Sequence, residues 1–111
     1  MKKRPRPKNT AVLRGSLDAD VRLAVRLLQQ GEVVAVPTET VYGLGGLGLN
    51  PEALGKIYEA KERPSHNPLI LHVRNLEEAL QLWDLSGCDE GVRQRINALA
   101  AEFWPGPLTL V

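Results

Sequence analysis

Between an apolar run and a glycine cluster the chain reads Pro37-Thr38-Glu39-Thr40-Val41-Tyr42-Gly43-Leu44-Gly45-Gly46, which sets two hydroxyls, a carboxylate and a phenol side by side. Groups of that kind bind a small polar ligand when they stand at the carboxyl end of a strand, where open α/β sheets form their ligand crevices. Glu32-Val33-Val34-Ala35-Val36 supplies the strand: it is apolar without alternation after its first residue, and Pro37 ends it because it has no ladder N–H. The plainer role for Thr38, Glu39 and Thr40 is turn chemistry, each side chain satisfying a nearby backbone group.

A second group lies in Lys61-Glu62-Arg63-Pro64-Ser65-His66-Asn67-Pro68-Leu69-Ile70. Lysine as a mobile point charge, arginine as a two-pronged donor and an asparagine amide, gathered in a proline-stiffened loop, suit a triphosphate. Lys61 and Arg63 also have a plainer role as cations meeting the dipole at a helix C-terminus. His72 falls in Leu69-Ile70-Leu71-His72-Val73, read as another short strand. Alternation there puts Ile70, His72 and Arg74 on one face, so the imidazole need not enter a core, and His66 is expected to be exposed.

Other chemistries are less well served. Gly43, Gly45 and Gly48 spell the dinucleotide-binding pattern, yet six residues separate Val36 from Gly43 and no acid stands near the position that would hold a ribose. The plainer need for these glycines is a tight turn with positive φ. Cys88 is the single cysteine and forms neither an intrachain disulfide nor part of a metal cluster. No Ser-His-Asp order, carboxylate pair or metal-ligand spacing is present, so the expected chemistry works by positioning and charge, with no protein metal site.

The elements that must position these residues can be read from periodicity and capping. Leu17, Val21, Ala24, Val25 and Leu28 recur at helical spacing, with Ser16 or Asp18 as the start and Gly31 as the stop. Asn50 is a natural N-cap, Pro51 fits the first helical position, and a helix to about Ala60 places Ala53, Ile57 and Ala60 on one face before Pro64 forbids continuation. Asn75-Leu76-Glu77-Glu78 has the form of a capping box before a helix to about Trp83. A last helix over roughly 89–104 carries Val92, Ile96, Leu99 and Phe103 on one face. Pro105 closes it, and Leu108-Thr109-Leu110-Val111 begins a further strand. Helix and strand alternate, which predicts an α/β layer fold.

With 111 residues, 43% of them hydrophobic and 24% charged, the chain has the composition of one small folded domain. No apolar run approaches the roughly 20 residues that span a bilayer, which predicts no membrane association. Five cations fall in the first eight residues, leaving the remainder with nine basic against thirteen acidic side chains. Residues 1–10 therefore read as a basic, disordered tail able to touch a phosphate backbone, and 11–111 as the folded domain. The tail lacks the apolar stretch of a secretory signal, and the lone cysteine agrees with a cytoplasmic protein.

Three motifs, Pro-Thr-Glu-Thr-Val-Tyr-Gly-Leu from Pro37, Lys61-x-Arg63-Pro64 with Asn67-Pro68-Leu69-Ile70 and His72-Val73, and Phe103-Trp104-Pro105-Gly106-Pro107-Leu108-Thr109, resemble those of the YrdC-like family of threonylcarbamoyl-AMP synthases. The resemblance spans about residues 20 to 111 and lacks the later strands and Ser-Ala-Asn segment of family domains. It implies a partial YrdC-like twisted sheet with flanking helices, truncated at the carboxyl end. It further implies synthesis of threonylcarbamoyl-AMP and pyrophosphate from L-threonine, bicarbonate and ATP, for threonylcarbamoyladenosine modification of tRNA. Carried over by position, Thr40 and His72 would contact threonine, with Thr38 and Tyr42 lining its pocket. Lys61, Arg63 and Asn67 would contact ATP, Lys61 and Arg63 in the catalytic role. Mg²⁺ would arrive with ATP, and separate machinery would transfer the threonylcarbamoyl group to tRNA. An RNA-binding module of the same fold, taking tRNA or double-stranded RNA without catalysis, is the alternative.

Overall fold

The computed structural model describes residues 9–111, so the basic tail assigned to 1–10 lies outside the described residues apart from Asn9 and Thr10. The chain divides into two compact units, one ending at Pro68 and one covering Leu69–Val111.

The first unit runs α1 (Asp18–Gln29), β1 (Val34–Val36), β2 (Gly43–Gly45) and α2 (Pro51–Lys61). Helix α1 starts one residue after Leu17, which serves as N-cap without a side-chain cap bond, so neither Ser16 nor Asp18 plays the expected part. Asp18 and Asp20 instead meet the helix dipole in the first turn, and the Asp20 carboxylate accepts from the Arg14 N–H at 2.7 Å. The stop is as expected. Gly31 takes φ +83°, its N–H donates to the Leu28 carbonyl, and the Glu32 N–H donates to that of Leu27, the paired bonds of a Schellman motif.

Strand β1 pairs antiparallel with β2, Val34 opposite Gly45, Ala35 opposite Leu44 and Val36 opposite Gly43. The glycine cluster is thus a strand and not a turn. Gly43, Gly45 and Gly48 need no positive φ, because Gly31 is the one glycine with it among the described residues. What the glycines supply is closeness: a Cβ on Gly46 would stand 3.4 Å from both the Ala53 Cβ and the Ile57 Cδ1, so the end of β2 runs directly over α2. Helix α2 opens as read from sequence, the Asn50 carboxamide accepting from the N–H groups of Glu52 (3.0 Å) and Ala53 (3.3 Å) with Pro51 at the first position. Ala53 and Ile57 are buried while Ala60 is exposed, and the Lys56 ammonium reaches Glu32 at 3.1 Å.

The second unit holds α3 (Leu76–Leu82) and α4 (Glu90–Phe103). Asn75 caps α3 by accepting from the Glu78 N–H at 2.9 Å, but the return bond of a capping box goes one residue earlier, from the Arg74 N–H to Glu78 at 2.8 Å. Asp89 caps α4 through the Val92 N–H at 2.8 Å. Along α4 Ala100 is buried and Val92 and Ile96 are half-buried, while Leu99 and Phe103 are exposed. Beyond α4 the indole N–H of Trp104 donates to the Leu108 carbonyl at 2.8 Å, and the Trp83 and Trp104 rings lie 6.3 Å apart.

Residues 69–73 and 108–111 form no strand. A strand is completed by a neighbour that takes its N–H and C=O groups, and among the described residues neither segment has one. The described residues form a mixed fold of four helices and a two-stranded antiparallel sheet, smaller than the twisted sheet expected. Among the described residues no helix is long and apolar enough to cross a membrane.

Candidate functional site

The loop between β1 and β2 carries Thr38, Thr40 and Tyr42, and its conformation is written by Thr38. The Thr38 hydroxyl donates to the Val41 carbonyl, accepts from the Thr40 N–H at 3.2 Å, and lies 3.3 Å from the Thr40 hydroxyl. A short polar side chain taking over backbone groups two and three residues ahead closes the turn locally. Thr38 is therefore occupied in shaping the loop, with its methyl against the Cα side of Gly43, where an added Cβ would stand 3.5 Å away. Thr40 and Tyr42 are exposed, Tyr42 at 77%, and the phenol has no hydrogen-bond partner among the described residues.

The cationic loop begins where α2 unwinds. Glu62 takes the left-handed conformation at φ 52°, its N–H donates to the Glu59 carbonyl at 3.2 Å, and the Arg63 N–H donates to that of Tyr58 at 2.9 Å. The same pairing of bonds ended α1, here around a residue other than glycine. The Asn67 N–H then donates to the Pro64 carbonyl at 3.0 Å, turning the chain back. Two side chains receive it: the Tyr58 hydroxyl donates to the Asn67 carbonyl, and Nη2 of Arg63 donates to the Pro68 carbonyl at 3.1 Å.

Arg63 and Asn67 thus share one closed turn, with Lys61 at the last position of α2 before it. The Lys61 ammonium and the Asn67 carboxamide have no partner among the described residues, and Nε of Arg63 is buried without one. Among the described residues the Arg63 guanidinium meets a backbone carbonyl and no carboxylate. Donors left without acidic partners among the described residues are suited to an anion. Tyr58, which binds the turn at two points, is not among the residues that the sequence singles out. Its bond to Asn67 crosses nine positions and leaves no periodic signal.

His72 belongs to the second unit, where it is exposed and free of hydrogen bonds among the described residues. Close to it in sequence, Arg74 and Glu78 are tied together, the guanidinium Nε donating to Glu78 at 2.7 Å. The Arg74 backbone N–H, and after it the guanidinium, hold the Glu78 carboxyl below the usual carboxylate range; the side-chain hydrogen bond to Glu78 and its charge raise Arg74. The Ser86 hydroxyl and N–H lower Asp84 likewise. Among the described residues no three His, Cys, Asp or Glu side chains gather in a metal-holding group.

Comparison with known proteins identifies the lineage. The family model Sua5_yciO_yrdC, described as "Telomere recombination", matches residues 26–111. The threonylcarbamoyl-AMP synthase of Bacillus subtilis is 49% identical over 94 residues, which cover 85% of this chain and 25% of that protein. That of Pyrococcus abyssi is 44% identical over 91 residues, 82% of this chain and 25% of the relative. The Vibrio campbellii protein of the same name is 39% identical over 87 residues, 78% of this chain and 45% of the relative. The chain spans between a quarter and a half of the length of these three relatives. No solved structure matches it. Carrying the Thr38 loop and the Lys61–Asn67 turn on a matched span that reaches from α1 to Val111, the chain belongs to the Sua5/YciO/YrdC family.

Proposed function

We propose that the chain holds the ATP-binding part of a threonylcarbamoyl-AMP synthase site, with Lys61, Arg63 and Asn67 on the nucleotide and Thr40 on L-threonine. The observation that carries this reading is the closed turn after α2 that holds Arg63 and Asn67, where among the described residues the Arg63 guanidinium donates to the Pro68 carbonyl and to no carboxylate. The names of the relatives agree with it.

The overall reaction tells what the residues must do. Joining the threonine amine to the carbon of bicarbonate expels water, and joining a carbamate oxygen to the α-phosphorus of ATP expels pyrophosphate. Negative charge grows on the departing pyrophosphate as that P–O bond breaks. Lys61 and Arg63, in the catalytic role, neutralise it with their positive charge and N–H donors, which lowers the barrier. Asn67 adds a neutral donor that fixes the register of the phosphate chain. Mg²⁺ would come with ATP, held chiefly by phosphate oxygens and water, and would supply further neutralisation of phosphate charge.

Thr40 presents an exposed hydroxyl to the amino acid, with Tyr42 as an apolar and phenolic wall. His72 donates to the threonine carboxylate, a role tested by itself with His72→Ala. The tRNA-modifying role, the transfer partner and the cytoplasmic setting follow from the same reading.

Calorimetry with MgATP tests the proposal on the 111-residue chain. Arg63→Ala should weaken MgATP by about 1.5–3 kcal/mol, the range for a hydrogen bond to a charged group, and leave L-threonine binding unchanged. Equal MgATP affinity in the variant and the parent chain would defeat the nucleotide assignment.

A further inference from the structure

The turn after α2 is held by two side chains, and one of them has a second task. Resting on the nucleotide reading above, Arg63 must give a guanidinium donor to phosphate, yet in the free chain its Nη2 is committed to the Pro68 carbonyl at 3.1 Å. Any rotation of the guanidinium toward a ligand lengthens that bond and removes one of the two ties across the mouth of the turn. The other tie is the Tyr58 hydroxyl on the Asn67 carbonyl, one residue earlier in the chain.

Tyr58 is built for the role. It is half-buried in the last turns of α2, so its ring has little freedom. Its carbonyl takes the Arg63 N–H at 2.9 Å at the start of the turn, and its hydroxyl takes the chain at the end. One rigid residue therefore fixes both the exit and the return of the segment that carries Arg63 and Asn67. The Asn67 backbone is fully committed, its N–H to Pro64 and its carbonyl to Tyr58, which leaves the carboxamide as the group able to meet a ligand.

We propose that Tyr58 is a positioning residue for the nucleotide turn: its hydroxyl keeps Asn67 in place while the Arg63 guanidinium is released from Pro68 to the phosphates. The hydroxyl contacts no substrate and acts through Asn67.

Tyr58→Phe keeps the ring and removes only the hydroxyl, so the variant retains the packing of α2. Two measurements on the full chain decide the matter: amide hydrogen exchange at Asn67 without ligand, and MgATP affinity by calorimetry. The inference expects the Asn67 N–H to exchange about 2- to 10-fold faster, with Ala53 and Ile57 unchanged, and MgATP to bind about 2- to 10-fold more weakly, the factors for one net hydrogen bond. Unchanged exchange at Asn67 overturns it. Faster exchange with full MgATP affinity also overturns it, since the hydroxyl would then be structural alone. If the parent chain takes no MgATP, the nucleotide reading fails and the positioning role falls with it. The faster exchange at Asn67 would distinguish that outcome from a hydroxyl that does not hold the turn.

Discussion

Gly31 and Asn50 meet where two helices turn over to one another: a Cβ built on Gly31 would stand 3.0 Å from Nδ2 of Asn50, the residue whose other amide atom caps α2. The stop of α1 and the start of α2 are therefore one joint. Gly31→Ala places a side chain at φ +83° and presses on the cap, and should cost about 1–2 kcal/mol for the backbone alone. Asn50→Ala should cost about 1 kcal/mol as a lost N-cap. Made together, the losses should fall short of additivity, because shortening Asn50 removes the crowding that the new methyl group meets. Urea unfolding followed by circular dichroism checks the cycle, and strict additivity would show that the contact carries no energy.

Thr38 and Thr40 separate by role. Thr38→Val removes a donor to Val41 and an acceptor for the Thr40 N–H, so exchange at Thr40 should quicken and L-threonine binding should weaken with it. Thr40→Val should weaken L-threonine by about 0.5–1.5 kcal/mol and leave the Val41 to Gly43 backbone as it was. The pair of variants is read by calorimetry beside amide exchange. A loop loosened equally by both would remove the distinction.

Two glycines predict opposite signs. Gly55 lies inside α2, is exposed, and would meet nothing within 4 Å on gaining a Cβ, so Gly55→Ala should stabilise the first unit by about 0.5–1 kcal/mol. At Gly106 the added Cβ would stand 2.4 Å from the Phe103 carbonyl oxygen, a backbone atom that cannot turn aside. Gly106→Ala should therefore displace the turn after α4 and cost about 1–3 kcal/mol, as overpacking does. The Trp104 indole N–H resonance, now bonded to Leu108, should shift and exchange faster. An unshifted resonance would contradict the clash.

Acid should loosen the start of α3. The folded state holds the Glu78 carboxyl below its unfolded range, so its stabilising effect is complete above the unfolded value and is lost as pH falls through the folded one. Amide exchange at Glu78, corrected for intrinsic rates, should lose protection between neutral pH and the acid range. Glu78→Gln should flatten that dependence. A wild-type profile as flat as that of the variant would remove the linkage.

Caps and glycine stops are legible in the sequence because they act within a turn of chain. Asn50, Pro51, Gly31 and Asn75 act where local signals put them or one step away, whereas Ser16 and Asp18 leave the cap position of α1 to Leu17. The segments at 69–73 and 108–111 look like strands and are not, for the opposite reason: apolar residues announce a wish for burial, and only a partner strand makes them a strand. Glycine permits a turn, which is what the run Gly43–Gly45 suggests by itself, yet a strand forms on it because β1 needs a neighbour. At the site, the cations can be found by type and clustering. Tyr58 cannot, since its partner is set by how the chain returns and not by any repeat.

Every tyrosine of the chain, Tyr42 and Tyr58, belongs to the unit ending at Pro68, and every tryptophan, Trp83 and Trp104, to Leu69–Val111. The two units therefore carry separate chromophores. Selective excitation of the indoles reports on the Trp83–Trp104 pair alone. Unlabelled protein thus carries a separate optical reporter in each unit, and unfolding of one can be followed apart from unfolding of the other.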